Sequence, residues 1–587
     1  MQAAKKRKMA SIIKELYEKR VISATDFQIA GYLSGETKVS DPGSRESLEL
    51  LAALVSQQAG AGSSCLTKQA YESFKEELKD YSKELSLSFD TDSLLPAWED
   101  FQNLNKFTDL YTNDPFQEFK PIVFFMDRYY FYKYWYYENI LAEKLCRIAS
   151  ESGAHSADFD KFSSVFDTLF DTDSVEQKRA AELSVKNRMT IITGGPGTGK
   201  TTIISKIILA LLSIKPDAKI LLAAPTGKAA SRMNESLKFF ISGVRKMPEK
   251  PISDDPLDLA ATLEGCSLHR LLGWSHGEFL FNKNNKLSAD LIIVDEASMV
   301  DISMMNALLD AIDGNSSLIL LGDKDQLASV AVGNVLSDIC ASKSTVFKKN
   351  IAELTVSYRF DPAIKEIAEA VKAADADLLK SIAIDHKPSD REIEFTKTIK
   401  GKYGFLFEND SPAGILEKLG SFKILTTTNE SVADINKLAE KAFGIDPAKD
   451  PWYNGRPVMV TKNNYGTGLF NGDCGVILEC NGTKRAYFQG HSDEGFAISE
   501  LGAVETVYAM TIHKSQGSEF ISVLIFLPDD LNSSAMLTKE ILYTAVTRAK
   551  KSVSIYASAK AVEKSITNEN ERSSSLKKLL EMKGDRA

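Results

Sequence analysis

Met189-Thr-Ile-Ile-Thr-Gly-Gly-Pro-Gly-Thr-Gly-Lys-Thr201 is a short apolar strand that runs into a glycine-rich turn. Thr202-Ile-Ile-Ser-Lys-Ile-Ile-Leu-Ala-Leu-Leu212 continues it as a helix. Residues 194–201 fit G-x-x-x-x-G-K-[ST] in the strand-then-helix setting this pattern requires. The backbone amides of Gly194, Gly195, Pro196 (which lacks one), Gly197, Thr198 and Gly199 can wrap phosphates. The helix beginning at Lys200, Thr201 and Thr202 adds the positive end of its dipole. Lys200 would meet the β- and γ-phosphates and Thr201 would ligate Mg²⁺, so ATP and Mg²⁺ are the expected cofactors.

Outward from this stretch, Lys219-Ile-Leu-Leu-Ala-Ala224, Leu291-Ile-Ile-Val294 and Ser317-Leu-Ile-Leu-Leu321 are further apolar runs separated by helical stretches. This is the pattern of a parallel sheet covered on both faces. Phe422-Lys-Ile-Leu-Thr426, Glu505-Thr-Val-Tyr-Ala509, Ser522-Val-Leu-Ile-Phe526 and Ser552-Val-Ser-Ile-Tyr556 form a second such series. Residues 450–504 differ: Val458-Met-Val-Thr461, Gly475-Val-Ile-Leu478 and Arg485-Ala-Tyr-Phe488 lie between Gly- and Asn-rich turns, which predicts a small inserted antiparallel barrel. Asp295, at the end of its strand, can hold Mg²⁺, and Glu296 can act as general base toward a water. Gln326, in Gly322-Asp-Lys-Asp-Gln326, can sense a γ-phosphate. Arg359 and Arg548 can reach it from an opposite wall. The plain alternatives are a solvated strand end, a surface turn and surface ion pairs.

At 587 residues the chain accommodates about four units of ~150 residues. With 71 Lys and Arg against 80 Asp and Glu, its formal charge of −9 excludes a uniformly basic nucleic-acid coat protein but not a local basic channel. Six cysteines without a C-x-x-C pair argue against a disulfide scaffold or a zinc site. No apolar run approaches the ~20 residues of a spanning helix, and the basic N-terminus leads into a charged segment, so a cytoplasmic protein without a membrane partner is expected. Residues 1 to about 150 read as mostly helical. Their aromatic run Phe124-Phe-Met-Asp-Arg-Tyr-Tyr-Phe-Tyr-Lys-Tyr-Trp-Tyr-Tyr137 reads as a buried helix, with a partner interface or base stacking as the alternatives.

Taken in order, Gly194–Thr201, Ala224-Pro-Thr-Gly-Lys-Ala-Ala230, Leu268-His-Arg-Leu-Leu-Gly273, Asp295-Glu-Ala-Ser298, Gly322–Gln326, Ser357-Tyr-Arg-Phe360, Met510-Thr-Ile-His-Lys-Ser-Gln-Gly-Ser-Glu519 and Leu542-Tyr-Thr-Ala-Val-Thr-Arg548 resemble the motif series of superfamily 1 DNA helicases. The Ala-Pro-Thr-Gly-Lys-Ala-Ala form, Gly455-Arg-Pro-Val-Met-Val460 with Gly468-Leu-Phe-Asn-Gly-Asp-Cys-Gly475, and the tail Glu571-Arg-Ser-Ser-Ser-Leu576 are similar to the RecD branch. The resemblance implies an α/β fold of two RecA-like P-loop domains with ATP between them, a helical N-terminal domain and an SH3-like barrel insertion. The expected division is 1–165 for the N-terminal partner-docking domain, 166–350 for the first motor domain, 351–449 with 505–587 for the second, and 450–504 for the barrel. It implies a helicase moving 5′→3′ on single-stranded DNA, with Gln177 reading adenine, and Gly517 and Glu519 coupling DNA contact to the nucleotide. Pro225, Thr226, His269 and Lys514 would line the DNA track. Stand-alone members of the branch carry a longer N-terminal extension with helix-hairpin-helix repeats, and residues 1–165 show no such repeats. The chain therefore looks more like the subunit that works beside RecB and RecC in exodeoxyribonuclease V, acting at duplex ends in double-strand-break repair by homologous recombination. A stand-alone helicase and an assembly subunit with weak ATPase are the alternatives.

Overall fold

The computed structural model describes residues 12–36, 42–81, 87, 95–106, 109–358, 361–384, 388–408, 410–464, 466–480, 482–491, 494–528, 536–568 and 572–585. The strand Met189–Gly194 lies inside a six-stranded, all-parallel sheet. The order across the sheet is Ile351–Leu354, Met189–Gly194, Ser317–Gly322, Leu291–Val294, Ile220–Ala224 and Cys266–Ser267. The strands Met189–Gly194, Leu291–Val294 and Ser317–Gly322 are buried along their whole length, which is why they read as continuous apolar runs. The helix Lys200–Ile214 covers one face, with Ile203, Ile204, Ile207, Ile208 and Leu211 in its core. The helix Ile302–Ala311 covers the other face through Ile302, Met305, Leu308 and Leu309. All six strands point the same way, so Gly194, Asp295 and Asp323 emerge together along one edge. Ile351–Leu354 pairs with Met189–Gly194, so the first motor sheet runs one strand past the expected limit at residue 350.

A second parallel sheet is ordered Ala383–Ile384, Ala549–Tyr556, Phe520–Phe526, Phe422–Thr426 and Ala509–Thr511. The expected strand Glu505–Ala509 is divided. Val504–Thr506 pairs with Arg456–Val460, and the parallel strand is Ala509–Thr511. In the connection from Phe422–Thr426 to Ala509–Thr511 lies a five-stranded antiparallel sheet, Phe496–Ala497, Thr483–Phe488, Cys474–Cys480, Arg456–Val460 and Val504–Thr506. Val458, Val460, Leu469, Ile477, Ala486 and Phe488 form its core.

The N-terminal part departs from the helical expectation. Its helices, among them Ala24–Glu36 and Pro42–Gly60, accompany a four-stranded sheet of Cys65–Thr67, Arg128–Phe131, Ile122–Phe125 and Tyr111–Thr112. The aromatic run is not one buried helix. Met126 and Asp127 adopt positive φ of 52° and 59°, closing a tight hairpin between Ile122–Phe125 and Arg128–Phe131, and only from Tyr132 does a helix run to Ser150. Aromatic side chains suit both states, so their density carried no period to tell a strand from a helix. Tyr129, Tyr130 and Trp135 are buried, whereas Tyr136 is exposed.

The tail also departs from the expected division. The helix Leu576–Gly584 leaves the second motor sheet and packs through Leu576, Leu579 and Leu580 on Leu141, Leu145 and Phe347. It is anchored by Glu138, which accepts hydrogen bonds from Ser64 Oγ, Ser574 Oγ (2.8 Å) and the Ser575 amide (3.1 Å to Oε2). Burial raises the Glu138 pKa against those bonds and Arg128. Asp338 faces the same acid, and no described residue bonds its Oδ2. Burial, then Glu138, pushes its carboxyl up to about 7, against Ser574, Lys577 and Arg128.

A carboxyl raised above its unfolded value of ~3.9 contributes stability that is present below that value and lost as pH rises through the folded pKa. Asp338→Asn removes this loss. The variant should match the parent at or below about pH 4 and melt progressively higher up to pH 8, at ~2–4 °C per kcal/mol. Thermal unfolding across that range checks it, and parallel pH profiles for the two proteins would contradict it.

Candidate nucleotide cleft and nucleic-acid track

The turn after Met189–Gly194 closes because Gly197 and Gly199 hold φ of 79° and 85°, a region open to glycine. Thr198 Oγ1 donates to the Gly195 carbonyl at 2.8 Å. Lys200 opens the helix, and its Nζ donates to the carbonyls of Gly194 (2.6 Å) and Gly195 (3.1 Å), which holds the ammonium across the loop. The amide of Tyr358, on the segment leaving the first sheet, donates to the Gly197 carbonyl at 3.0 Å.

A cleft of about 320 Å³ is lined by Gly197, Gly199, Lys200, Thr201, Thr202, Asp295, Glu296 and Gln326 from the first motor unit. Gly517, Glu519 and Arg548 line it from the second. Asp295 is half-buried at its strand end and accepts the Glu296 amide at 2.8 Å. Burial and then Glu296 push its carboxyl up to about 6, against that N–H and Lys200. Glu296 itself holds φ 52°, a strained setting for a non-glycine residue. The Thr201 hydroxyl and the Asp295 carboxylate in one cleft make an oxygen donor set that suits Mg²⁺.

Gln326 lies in a relay across the cleft. Its Nε2 donates to Asp323 Oδ2 at 3.1 Å, and its Oε1 accepts from Arg548 Nη2 at 2.8 Å. Arg548 is buried and also donates to the carbonyls of Thr544 (3.1 Å) and Ser518 (3.3 Å). Tyr543 Oη donates to Asp323 at 3.2 Å. Glu519 pairs with Lys550 Nζ at 3.1 Å. The relay continues through Leu327, whose amide donates to Thr544 Oγ1 (2.9 Å) and whose carbonyl accepts from Gln516 Nε2 (3.1 Å).

Not every expected residue joins this cleft. Gln177 is buried against the loop, its Nε2 donating to the Thr198 carbonyl at 3.0 Å, and it does not line the cleft. Arg359 lies outside the described residues. Pro225 and Thr226 follow the strand Ile220–Ala224, and Thr226 Oγ1 caps the next helix by accepting the Ala229 amide. Lys514 pairs with Glu505 at 2.6 Å. His269 is exposed, with its ring beside Trp274 and Phe279. Among the described residues no hydrogen bond, ion pair or ring contact joins these four to one another. The neighbouring Lys228 does reach across, donating from Nζ to the Gly472 carbonyl in the antiparallel sheet at 2.8 Å.

Sequence reasoning missed Asp323, Tyr543 and Gln516, and it missed Arg232. Arg232 lines both the cleft and a larger recess of about 650 Å³ that opens from it along the helix Gly227–Arg245. Burial lowers its pKa against the attraction of Glu519 and Glu296, and Arg548 lies close enough to lower it further. No described residue gives its guanidinium a hydrogen bond or ion pair. The signal was available, since Arg232 follows Ala229 by three residues on the helix face that, with Met233 and Ser236, lines the recess.

Family comparisons follow the same division. The AAA domain matches residues 177–332, and the UvrD-like helicase C-terminal domain matches residues 506–556. With the cleft between them, these define an ATP-dependent DNA helicase. The N-terminal domain model of RecBCD enzyme subunit RecD matches residues 18–130. RecBCD enzyme subunit RecD of Mycobacterium tuberculosis is 35% identical over 484 residues, 78% of this chain and 80% of that protein. The Haemophilus influenzae subunit is 29% identical over 98% of this chain and 100% of that protein. The chain belongs to the RecD family. The ATP-dependent RecD2 DNA helicase of Deinococcus radiodurans is 29% identical over 64% of this chain and 48% of that protein. Among solved structures, Bacteroides Pif1 bound to ssDNA aligns with a TM-score of 0.37 at 18% identity, over 66% of this chain and 93% of that one.

A Cβ at position 199 would meet Gln177 Nε2 at 2.4 Å with φ at +85°. Gly199→Ala should therefore cost about 1–2 kcal/mol from the left-handed backbone alone, with a further steric part. Adding Gln177→Ala should recover the steric part only, read as urea-unfolding midpoints of the single and double variants.

Proposed function

We propose that this chain is a 5′→3′ motor on single-stranded DNA and that it works as the RecD-type subunit beside RecB and RecC at duplex ends, in the bacterial cytoplasm. The observation that carries the motor reading is the Arg548–Gln326 hydrogen bond. It joins the two motor units inside the cleft that also holds Lys200, Asp295 and Glu296. The subunit reading is favoured by coverage: the likeness to a RecBCD subunit spans nearly all of both chains, whereas that to the RecD2 helicase spans less than half of that protein. Among the described residues no helix is long and apolar enough to cross a membrane.

The residues divide the chemistry among them. Lys200 and the loop amides hold the phosphates, and Glu296 orients the attacking water and takes its proton. Thr201 and Asp295 would hold Mg²⁺, which would supply neutralisation of the phosphate charge. Arg548, Arg232 and the Arg359 of the sequence motif offset the charge that develops on the transferred group. Gln326 reports whether the γ-phosphate is there, because it shares Arg548 with it. Filling the cleft draws the units together and emptying it releases them. If Pro225, Thr226, His269 and Lys514 grip a strand on one unit or the other, each cycle advances it one way. The antiparallel sheet around Val458 reads as an SH3-like barrel beside that track, and the N-terminal unit as the docking face for partners. Grip through backbone phosphates is sequence-tolerant and weakens with salt.

Lys200→Gln should lower DNA-stimulated ATP hydrolysis by about a hundredfold or more, and Arg232→Ala by about ten- to a hundredfold, with single-strand binding retained. Unwinding should need a 5′ tail. Full ATPase in Lys200→Gln would refute the site. A native chain that purifies without large partners and unwinds processively alone would refute the subunit reading.

A further inference from the structure

The tail motif has no part in the chemistry above, yet Arg572 is placed where it can act on that chemistry. Its Nη1 donates to the carbonyls of Ala331 (2.9 Å) and Gly333 (3.0 Å) and lies 3.5 Å from Ser329 Oγ. Ser329 Oγ itself donates to the same two carbonyls, at 2.8 and 3.2 Å. These residues end the loop that begins at Gln326. Gln326, Leu327, Ala328 and Arg572 line one polar cavity of about 300 Å³ between the motor units.

The loop's far end is also fixed from the N-terminal unit. The Gly333 amide donates to the Gly62 carbonyl at 2.9 Å. Gly62 leaves room for the guanidinium, because a Cβ there would lie 2.5 Å from the Arg572 guanidinium carbon. Ser573 then bonds along Ser63 and Ser64, with its amide donating to Ser63 Oγ (3.1 Å) and its carbonyl accepting the Ser64 amide (3.0 Å). The segment is thus built into both units. Burial holds the Arg572 pKa down to about 10 against Glu540, and the cation, after burial, lowers the pKa of His513 in the second motor unit.

We propose that Arg572 is a positioning residue for ATP hydrolysis. By closing the loop 327–333 onto its own carbonyls and onto the N-terminal unit, it sets where Gln326 meets Arg548. Both bonds leave Nη1, so one nitrogen of the guanidinium holds the Ala331 and Gly333 carbonyls together. The proposal rests on the reading that the Gln326–Arg548 pair serves hydrolysis.

The test is the steady-state ATPase of the full-length chain on single-stranded DNA. Gln326→Ala examines the underlying reading, and Arg572→Ala examines the proposal. Arg572→Ala should lower kcat by about tenfold, within the range such remote couplings reach, with the KM for ATP within about twofold of the parent. Arg572→Lys should restore part of the rate. The double variant should be no slower than Gln326→Ala alone, because both act through one element. If Gln326→Ala leaves kcat unchanged, the cleft reading falls. If Gln326→Ala slows the enzyme while Arg572→Ala does not, or if the two losses multiply, the positioning role alone falls. Should Arg572→Ala fail to fold, Ser329→Ala removes the loop's own closing bonds and is held to the same non-multiplying result with Gln326→Ala.

Discussion

The hydrogen bond from Arg548 to Gln326 constrains both motor units at once. A guanidinium that leaves water must place its donors, because unpaired buried donors each cost about 1–3 kcal/mol. Two of the partners, the Thr544 and Ser518 carbonyls, belong to its own unit, so only a narrow range of positions lets the third donor reach Gln326. Gln326 is held in turn by Asp323, whose carboxyl burial raises in pKa and which also takes the Tyr543 hydroxyl. Leu327 repeats the joint in backbone form, donating to Thr544 and accepting from Gln516. The joint exists because both sheets are parallel. Each gathers its strand ends on one edge, and the two edges must face each other for Thr544, Ser518 and Gln326 to surround a single side chain.

The P-loop and the carboxylates of Asp295 and Glu296 were legible because their chemistry depends on local order, whereas Gln326 and Arg548, which meet across the chain, stood out only through the resemblance of the motif series. A glycine-rich turn between a strand and a helix, or an acid at the end of an apolar run, carries its own geometry. The strands read well for the same reason, since burial on both faces leaves unbroken apolar runs. Legibility failed where a long-range partner decides. The run from Phe124 to Tyr137 holds a hairpin and a helix, and what divides it is the left-handed pair Met126 and Asp127, neither of which is a glycine. Val504–Thr506 and Ala509–Thr511 lie three residues apart and belong to different sheets because each is claimed by a different neighbour. The helix Leu576–Gly584 has an ordinary apolar stripe, and nothing local says that the stripe is buried under Tyr132–Ser150 and not under the sheet it has just left. Arg232 was hidden differently. It lies two residues past the motif that ends at Ala230, and its significance depends on having no hydrogen-bond or ion-pair partner among the described residues, which only packing reveals.

The buried and half-buried cations explain how an acidic chain presents positive charge where phosphates are handled. Lys200, Lys228, Lys423, Arg548 and Arg572 are bonded to backbone carbonyls, with Arg548 also bonded to an amide oxygen. None of these five has a carboxylate at ion-pair distance among the described residues. The more exposed cations Lys514 and Lys550 pair with Glu505 and Glu519. A carbonyl satisfies the donors of a cation without cancelling its charge, whereas a carboxylate does both. Carbonyl seating therefore leaves a field that low-dielectric surroundings strengthen and that bulk salt screens poorly. The cost shows in the lowered pKa values of Lys228, Lys423 and Arg572, each led by burial. A net charge of −9 is then no measure of affinity for a polyanion, because the exposed acids are met by bulk counter-ions and the inward cations are not. An overall acidic chain thus keeps uncancelled positive charge at Lys200 and Arg548, on the two sides of one cleft.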